Sequence, residues 1–203
     1  MLRKYNFTWI LEKKFLLCLF TVGLFCYFFV GNNEAIASQT TDCVRLDKAE
    51  KVVSLEGKIS YFEDIGGKLT LEEITGNSER LWNVIQGEVP SFGFSSSAFW
   101  LRFDQCQSSP KGERIILEIE YPLLDSIDLF ILRDDKLIFQ EHSGDTVSFN
   151  HRPVDHRNFL FDLPDSWDSS LRVYIRIQTE SAVQIPLKLY TRSGFSIYEQ
   201  KAL

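Results

Sequence analysis

The chain has 203 residues and a formal net charge of −6 at pH 7, from 22 Lys and Arg against 28 Asp and Glu. This acidic balance argues against a nucleic-acid partner, because nucleic-acid binding rests on neutralising phosphate charges. With 44% hydrophobic residues, the chain is long enough to bury a core without metals or a dense disulfide network.

Residues 1–37 are predicted to be a secretory signal peptide. Lys13 and Lys14 precede an uncharged, mostly apolar segment, and the small-x-small site Ala35–Ala37 follows it. Cleavage after Ala37 would place the rest of the chain in the periplasm or on the extracytoplasmic face of the inner membrane. The alternative is an uncleaved signal anchor, which would then be the chain's own contact with the membrane.

Residues 38–51 read as a polar lead-in that contains Cys43. Outside the signal segment the other cysteine is Cys106. In an oxidising compartment the two could form a disulfide, which would stabilise the fold by about 4 kcal/mol in the chain-entropy model. Two separate thiols are the alternative.

From residue 52 onward, short strand patterns alternate with turn residues, and this predicts an all-β fold. The Thr70–Glu73 segment has capping-box spacing and predicts a helical turn over Leu71–Thr75. Arg133–Lys136 is typical of a hairpin turn, and Pro186 near the start of the last strand fits an edge strand. The predicted strands are Lys58–Glu63, Leu81–Val84, Ala98–Asp104, Ile115–Tyr121, Ile127–Leu132, Leu137–Glu141, Asn158–Leu163, Leu171–Thr179 and Ile185–Tyr190.

These patterns favour a jelly-roll-like antiparallel β-sandwich over residues 52–192, followed by a C-terminal tail at 193–203. One face of each sheet is expected to be wet. The clearest alternation places the odd positions from Phe99 to Phe103, and from Leu171 to Ile177, in the core between the two sheets.

The same alternation predicts a ligand-binding face opposite that core. Aromatic rings stack on sugar faces, and guanidinium and carboxylate groups bind hydroxyls, so such a face would suit a polar, ring-shaped small molecule or glycan. The alternative is cross-strand pairing of the arginines with the glutamates, with the tryptophan covered by a loop. The residues of this predicted face are Trp100, Arg102, Tyr174, Arg176, Glu118 and Glu120.

The loop after the hairpin supplies two further candidates, Asp145 and Arg152, which either fix the loop or contact a ligand. Three histidines fall between His142 and His156, but their spacing matches no metal motif, so no metal site and no cofactor are predicted. The sequence has no nucleophile elbow, His-Glu-x-x-His motif or phosphate-binding loop, and an enzyme is therefore not predicted.

An ordered series of short elements resembles the type-2 extracellular domain of bacterial seven-transmembrane receptors with diverse intracellular signalling modules (7TMR-DISM). The resemblance implies a jelly-roll sandwich, similar to carbohydrate-binding modules, that senses an extracytoplasmic ligand for a membrane-coupled output. The elements are Ile59–Asp64, Phe92–Phe103, Leu117–Pro122, Ile127–Phe130, Gly144–Asp145, Arg152–Pro153, Val173–Gln178 and Ile185–Leu187.

In that family a membrane bundle and an output domain follow soon after the position of Phe195, whereas this sequence runs to Leu203. A truncated receptor, a split-receptor subunit and a free-standing periplasmic domain are therefore all open, and a membrane receptor is an expected partner. The other functional class is an envelope protein-interaction or structural module with no small-molecule ligand.

Overall fold

A computed structural model describes residues 43–46, 51–55, 57–77, 80–87, 89–106, 114–147, 156–164 and 169–202. The predicted signal peptide and Arg152 lie outside these residues. Within them, no helix is both long enough and apolar enough to cross a membrane.

Two antiparallel sheets form a β-sandwich, which confirms the all-β prediction. One sheet contains β2 (Ser60–Asp64), β3 (Asn83–Val84), β5 (Ala98–Gln105), β7 (Ser126–Arg133), β8 (Lys136–Ser143) and β10 (Leu171–Gln178). The other contains β1 (Val52–Ser54), β6 (Ile115–Ile119), β9 (Phe159–Leu163) and β12 (Leu187–Thr191). Their orders are β3-β2-β5-β10-β7-β8 and β1-β12-β6-β9. A small two-stranded sheet pairs β4 (Ser91–Phe94) with β11 (Ala182–Gln184).

The core lies between the two large sheets, where sequence alternation predicts it. Phe99, Leu101 and Phe103 of β5 are buried there, together with every odd residue of β10 from Leu171 to Ile177. The two strands pair directly, with Val173 opposite Phe103 and Ile175 opposite Leu101. This register places both apolar rows on one face of the six-stranded sheet.

The predicted strands are present, with boundaries shifted by a few residues. The hairpin turn is confirmed at Asp134 and Asp135, whose φ values of 49° and 59° match the two left-handed central residues of a type I′ turn. The edge-strand prediction for the last strand is wrong, because β12 lies between β1 and β6. Pro186 is tolerated because it lies just before the strand, so its missing N–H removes no donor from within β12. Its carbonyl accepts the Glu120 N–H at 3.0 Å.

The expectation of a wet outer face is wrong over much of both sheets, because each carries a helix, although Arg172 of β10 and Gln140 and His142 of β8 stay exposed. The short helix α1 (Leu71–Gly76) covers the six-stranded sheet through Ile74, and the predicted capping box at Thr70 and Glu73 is present at its start. A second helix, α2 (Arg192–Ala202), forms where a tail was predicted. Its Phe195 and Tyr198 pack on the outer face of the four-stranded sheet.

The chain enters and leaves the sandwich at the same end. Val52 pairs with Tyr190, and the Thr191 N–H donates to the Lys51 carbonyl at 3.2 Å. A disulfide joins Cys43 of the lead-in to Cys106 after β5, with the Cα atoms 5.4 Å apart. The lead-in is thereby attached to the six-stranded sheet, whereas the chain leaves the sandwich from β12 of the four-stranded sheet.

Candidate functional site

The predicted ligand face does not exist as an open surface. Trp100 and Tyr174 are 0% and 3% exposed, because α1 and the segment before β3 fold over them. Trp82, from that segment, lies 6.0 Å from the Tyr174 ring between centroids. The predicted exposure of these two aromatic rings is therefore wrong, and neither can stack on a ligand without displacing its cover.

The two predicted arginines lie on that outer face and make contacts within the protein. The Arg102 guanidinium lies 4.3 Å from the centre of the Trp82 ring, and its burial lowers the pKa of Arg102. Arg176 donates from Nη2 to the Gly67 carbonyl and to Gln178 Oε1, both at 2.8 Å, and pairs with Asp128 at 3.4 Å. Arg102 and Arg176 therefore hold the segments that cover the outer face of the six-stranded sheet.

Glu118 lies in β6 of the four-stranded sheet, and Glu120 directly follows that strand. The expected combination of these glutamates with the arginines on one face is therefore wrong. Glu118 is fully buried and accepts from Asn158 Nδ2 at 2.8 Å. Burial, with the nearby Glu118 charge, raises the pKa of Tyr190. The alternative, cross-strand pairing of the arginines with the glutamates, is excluded by the same separation, since β6 lies between β12 and β9 in the four-stranded sheet.

An open cleft of about 880 Å³ lies at one end of the six-stranded sheet. It is formed where β5 and β7 begin and β10 ends, since Gln178 pairs with Ser126 and Ile177 with Phe99. This end is opposite to the one where the chain enters and leaves, because Ile119 pairs with Leu187 on the cleft side and Ile115 with Thr191 on the exit side. The lining residues are Phe94, Ser95, Ser96, Asp125, Ser126, Thr146, Gln178, Thr179 and Glu180.

Hydrogen bonds between loops fix the floor of the cleft. Asp125 accepts at its carboxylate from the Glu180 N–H at 2.6 Å and at its carbonyl from the Thr146 hydroxyl at 2.7 Å. The Thr179 hydroxyl donates to the Leu123 carbonyl at 3.3 Å. Gly144 has a φ of 147°, and a Cβ there would collide with the Asp125 carbonyl, so only glycine allows this close approach of the two loops.

The loop candidate Asp145 lies in this floor region. Its side chain is exposed, and its N–H donates to the Leu124 carbonyl at 2.8 Å. The Gly144–Asp145 element therefore does bring its loop to the cleft, although the lining residue of that loop is Thr146.

The cleft combines polar side chains, two carboxylates and one aromatic ring in its lining. Its wall presents serine and threonine hydroxyls and the Gln178 amide, and its charged lining residues are Asp125 and Glu180. Phe94 is 82% exposed and offers an aromatic ring to the cleft. The two carboxylates repel an anionic ligand. In the described part of the chain, no group of His, Cys, Asp and Glu is arranged to hold a metal ion.

The comparison with known families decides what this sandwich is. The family model for 7TMR-DISM extracellular 2 matches residues 56–191, which is more than half of the chain.

The chain belongs to the 7TMR-DISM extracellular 2 family.

The sequence resemblance is therefore confirmed. The family implies an extracytoplasmic sensory domain with a non-enzymatic role. The matched segment contains every residue that lines the cleft, whereas α2 lies beyond it. No curated protein matches the chain in sequence.

None of the residues that line the cleft of this 7TMR-DISM extracellular 2 domain was predicted from the sequence as a site residue. Phe94 ends β4, Thr146 lies in the loop after β8, and Thr179 directly follows β10, so no single strand pattern joins the three. A signal was nevertheless present in the glycines at 93 and 144, both of which have positive φ beside the cleft. A positive φ favours glycine, and at Gly144 the backbone also closely approaches Asp125; loops of this kind tend to carry function.

Proposed function

We propose that this domain senses a small, uncharged, hydroxyl-rich ligand, of the sugar or polyol class, bound in the cleft at the end of the six-stranded sheet. The cleft is the observation that supports this proposal: hydroxyls, one amide, an exposed aromatic ring and the carboxylates of Asp125 and Glu180 surround a space of about 880 Å³. Such groups bind the hydroxyls and the apolar face of a sugar ring. The cleft lies at the end of the sandwich opposite to the one where the chain leaves it. It is therefore open to the medium when that other end faces a membrane partner.

A signalling output would come from a membrane receptor that contacts this domain. The sensory role of the family supports that arrangement. Within the proposal, the protein binds the ligand and the partner carries the change across the membrane.

The test is a panel of neutral monosaccharides, oligosaccharides and polyols against the purified full chain, read by thermal shift and calorimetry. At least one class is expected to raise Tm, while the matching uronic acids bind more weakly because of Asp125 and Glu180. Phe94→Ala is expected to weaken binding about two- to tenfold, from the loss of one aromatic contact.

Leu81→Ala is the matched control. Leu81 is 84% exposed, like Phe94, and does not line the cleft. The control is expected to bind as the natural protein does. A panel without any shift, or equal effects of the two alanine variants, would overturn the proposed ligand site.

A second candidate function is protein binding at the same end. Ile65 and Leu123 are 81% and 52% exposed in loops at the cleft end, and Phe94 is exposed at the end of β4. Exposed apolar side chains gathered at one place favour a protein contact. Crosslinking in cells would show a partner lost with Ile65→Asp and retained with Leu81→Asp. An intact crosslink with Ile65→Asp would reject this candidate.

A further inference from the structure

We propose that the segment Glu120–Asp125 couples the cleft to helix α2, so that a change in the cleft loops alters how firmly α2 is held on the four-stranded sheet. The helix lies outside the segment that matches the family, so family membership does not assign it this role. The coupling is a property of the chain itself and does not depend on which ligand occupies the cleft.

At one end the segment forms part of the cleft. Asp125 is held by the Thr146 hydroxyl and by the Glu180 N–H, which belong to two other cleft loops. Leu123 is held by the Thr179 hydroxyl. A ligand that draws these loops together or apart must therefore act on the segment at two neighbouring positions.

At its other end the segment holds α2. Glu120 Oε1 accepts from the Tyr198 hydroxyl at 3.1 Å, and Glu120 Oε2 pairs with Lys188 at 2.7 Å. The Lys188 ammonium also lies 5.4 Å from the centre of the Tyr198 ring. One carboxylate, five residues from Asp125, thus fixes the side chain by which the second half of α2 meets the sheet.

The segment has little freedom to absorb a displacement. Pro122 restricts its backbone, and Leu124 is fully buried in the core. The Glu120 N–H is bonded to the Pro186 carbonyl at 3.0 Å. A shift at Asp125 is therefore passed along the segment to Glu120.

The two halves of α2 are held differently. In the first half, Gly194 approaches Lys51 so closely that a Cβ would collide with its carbonyl, and Phe195 packs on Tyr190. In the second half, polar contacts join Tyr198 to Glu120 and Glu199 to His156 at 3.3 Å, beside the packing of the Tyr198 ring on Tyr190 at 5.4 Å between centroids. Such polar contacts each contribute on the order of 1 kcal/mol or less, so a modest ligand preference is enough to shift them.

Hydrogen–deuterium exchange on the full chain tests the coupling without any ligand. Thr146→Val removes the hydroxyl bound to Asp125 at nearly constant volume. It is expected to speed exchange of the α2 amides around Tyr198 about two- to tenfold, with β10 and α1 unchanged. Because coupling is reciprocal, Tyr198→Phe should speed exchange at Asp125 and Asp145.

Two variants serve as controls. Thr146→Ser keeps the hydroxyl and is expected to restore slow exchange in α2. Thr75→Val removes a hydroxyl that donates to the Leu71 carbonyl in α1, outside the segment and the cleft lining, and should leave α2 unchanged. Unchanged α2 exchange in Thr146→Val, or equal acceleration throughout the protein, would overturn the coupling. Since no ligand is added, this outcome is separate from a failed sugar panel.

Discussion

The rings of Trp100 and Phe130 stack with their centroids 5.8 Å apart and their planes inclined by 19°. They do so on the outer face of the six-stranded sheet, beneath α1. The sandwich therefore has a second apolar cluster outside its main core.

Truncating Trp100 tests the importance of that cluster. Trp100→Ala is expected to lower the free energy of unfolding by about 3–5 kcal/mol, because it leaves a large cavity in a fully buried site. Urea denaturation measures the change, with the exposed Leu81→Ala as the near-neutral control. A loss under about 1 kcal/mol would show that the outer cluster contributes little.

The capping box of α1 gives a second prediction. Thr70 Oγ1 accepts from the Glu73 N–H at 3.3 Å, and Thr70→Ala is expected to cost about 1 kcal/mol. Thr75→Ala, in the same helix, is the control, because Thr75 is not a cap and its hydroxyl donates to the Leu71 carbonyl. The two midpoints in urea are compared, and a larger effect of Thr75→Ala contradicts the prediction.

The disulfide gives a third prediction. It closes a loop with a sequence separation of 63 residues, and its loss is expected to cost roughly 4 kcal/mol in the chain-entropy model. Urea unfolding of the oxidised protein is compared with that of the double variant Cys43→Ala with Cys106→Ala. Reductant should lower the stability of the former and leave the latter unchanged. Equal midpoints for the two proteins would count against a stabilising bond.

Glu141 predicts a pH dependence of stability. Burial, with the charge of Asp162 added, raises the pKa of Glu141 from its ordinary value of 4.5 to about 7. The folded state then keeps a proton that the unfolded state releases. The free energy of unfolding therefore falls as pH rises from about 4.5 to about 7, and the loss persists above that range.

Urea denaturation at pH 5 and pH 8 checks this sign. Glu141→Gln should lose less stability between the two pH values than the natural protein does. Glu180→Gln, an exposed cleft carboxylate, should lose as much as the natural protein. An unchanged loss in Glu141→Gln would show that this carboxyl is not the one responsible.

Alternation along the sequence was enough to identify the main core, and it failed where distant segments meet. The parity of Phe99 to Phe103 predicts which side of β5 is buried, and the sandwich confirms it. The same parity places Trp100 on the other side, yet it carries no information about α1, which comes from residues 71–76 and covers that side.

The order of the strands within the two sheets could not be predicted from the sequence either. Glu118 does point away from the main core, as parity predicts, but on the other sheet from Arg102. The cleft joins Phe94 from the end of β4, Thr146 from the loop after β8 and Thr179 from just after β10, and no periodic pattern connects these positions. The family resemblance identified the family instead, because an ordered series of elements can be specific where no single element is.

The backbone contact between Lys51 and Thr191 has a consequence for engineering. Since these two residues are neighbours in space, the intervening polypeptide could be grafted into a surface loop of an unrelated host through two short linkers. The host would lose little chain entropy, because the graft already holds its own ends together. The inserted domain would have its cleft at the end farthest from the host.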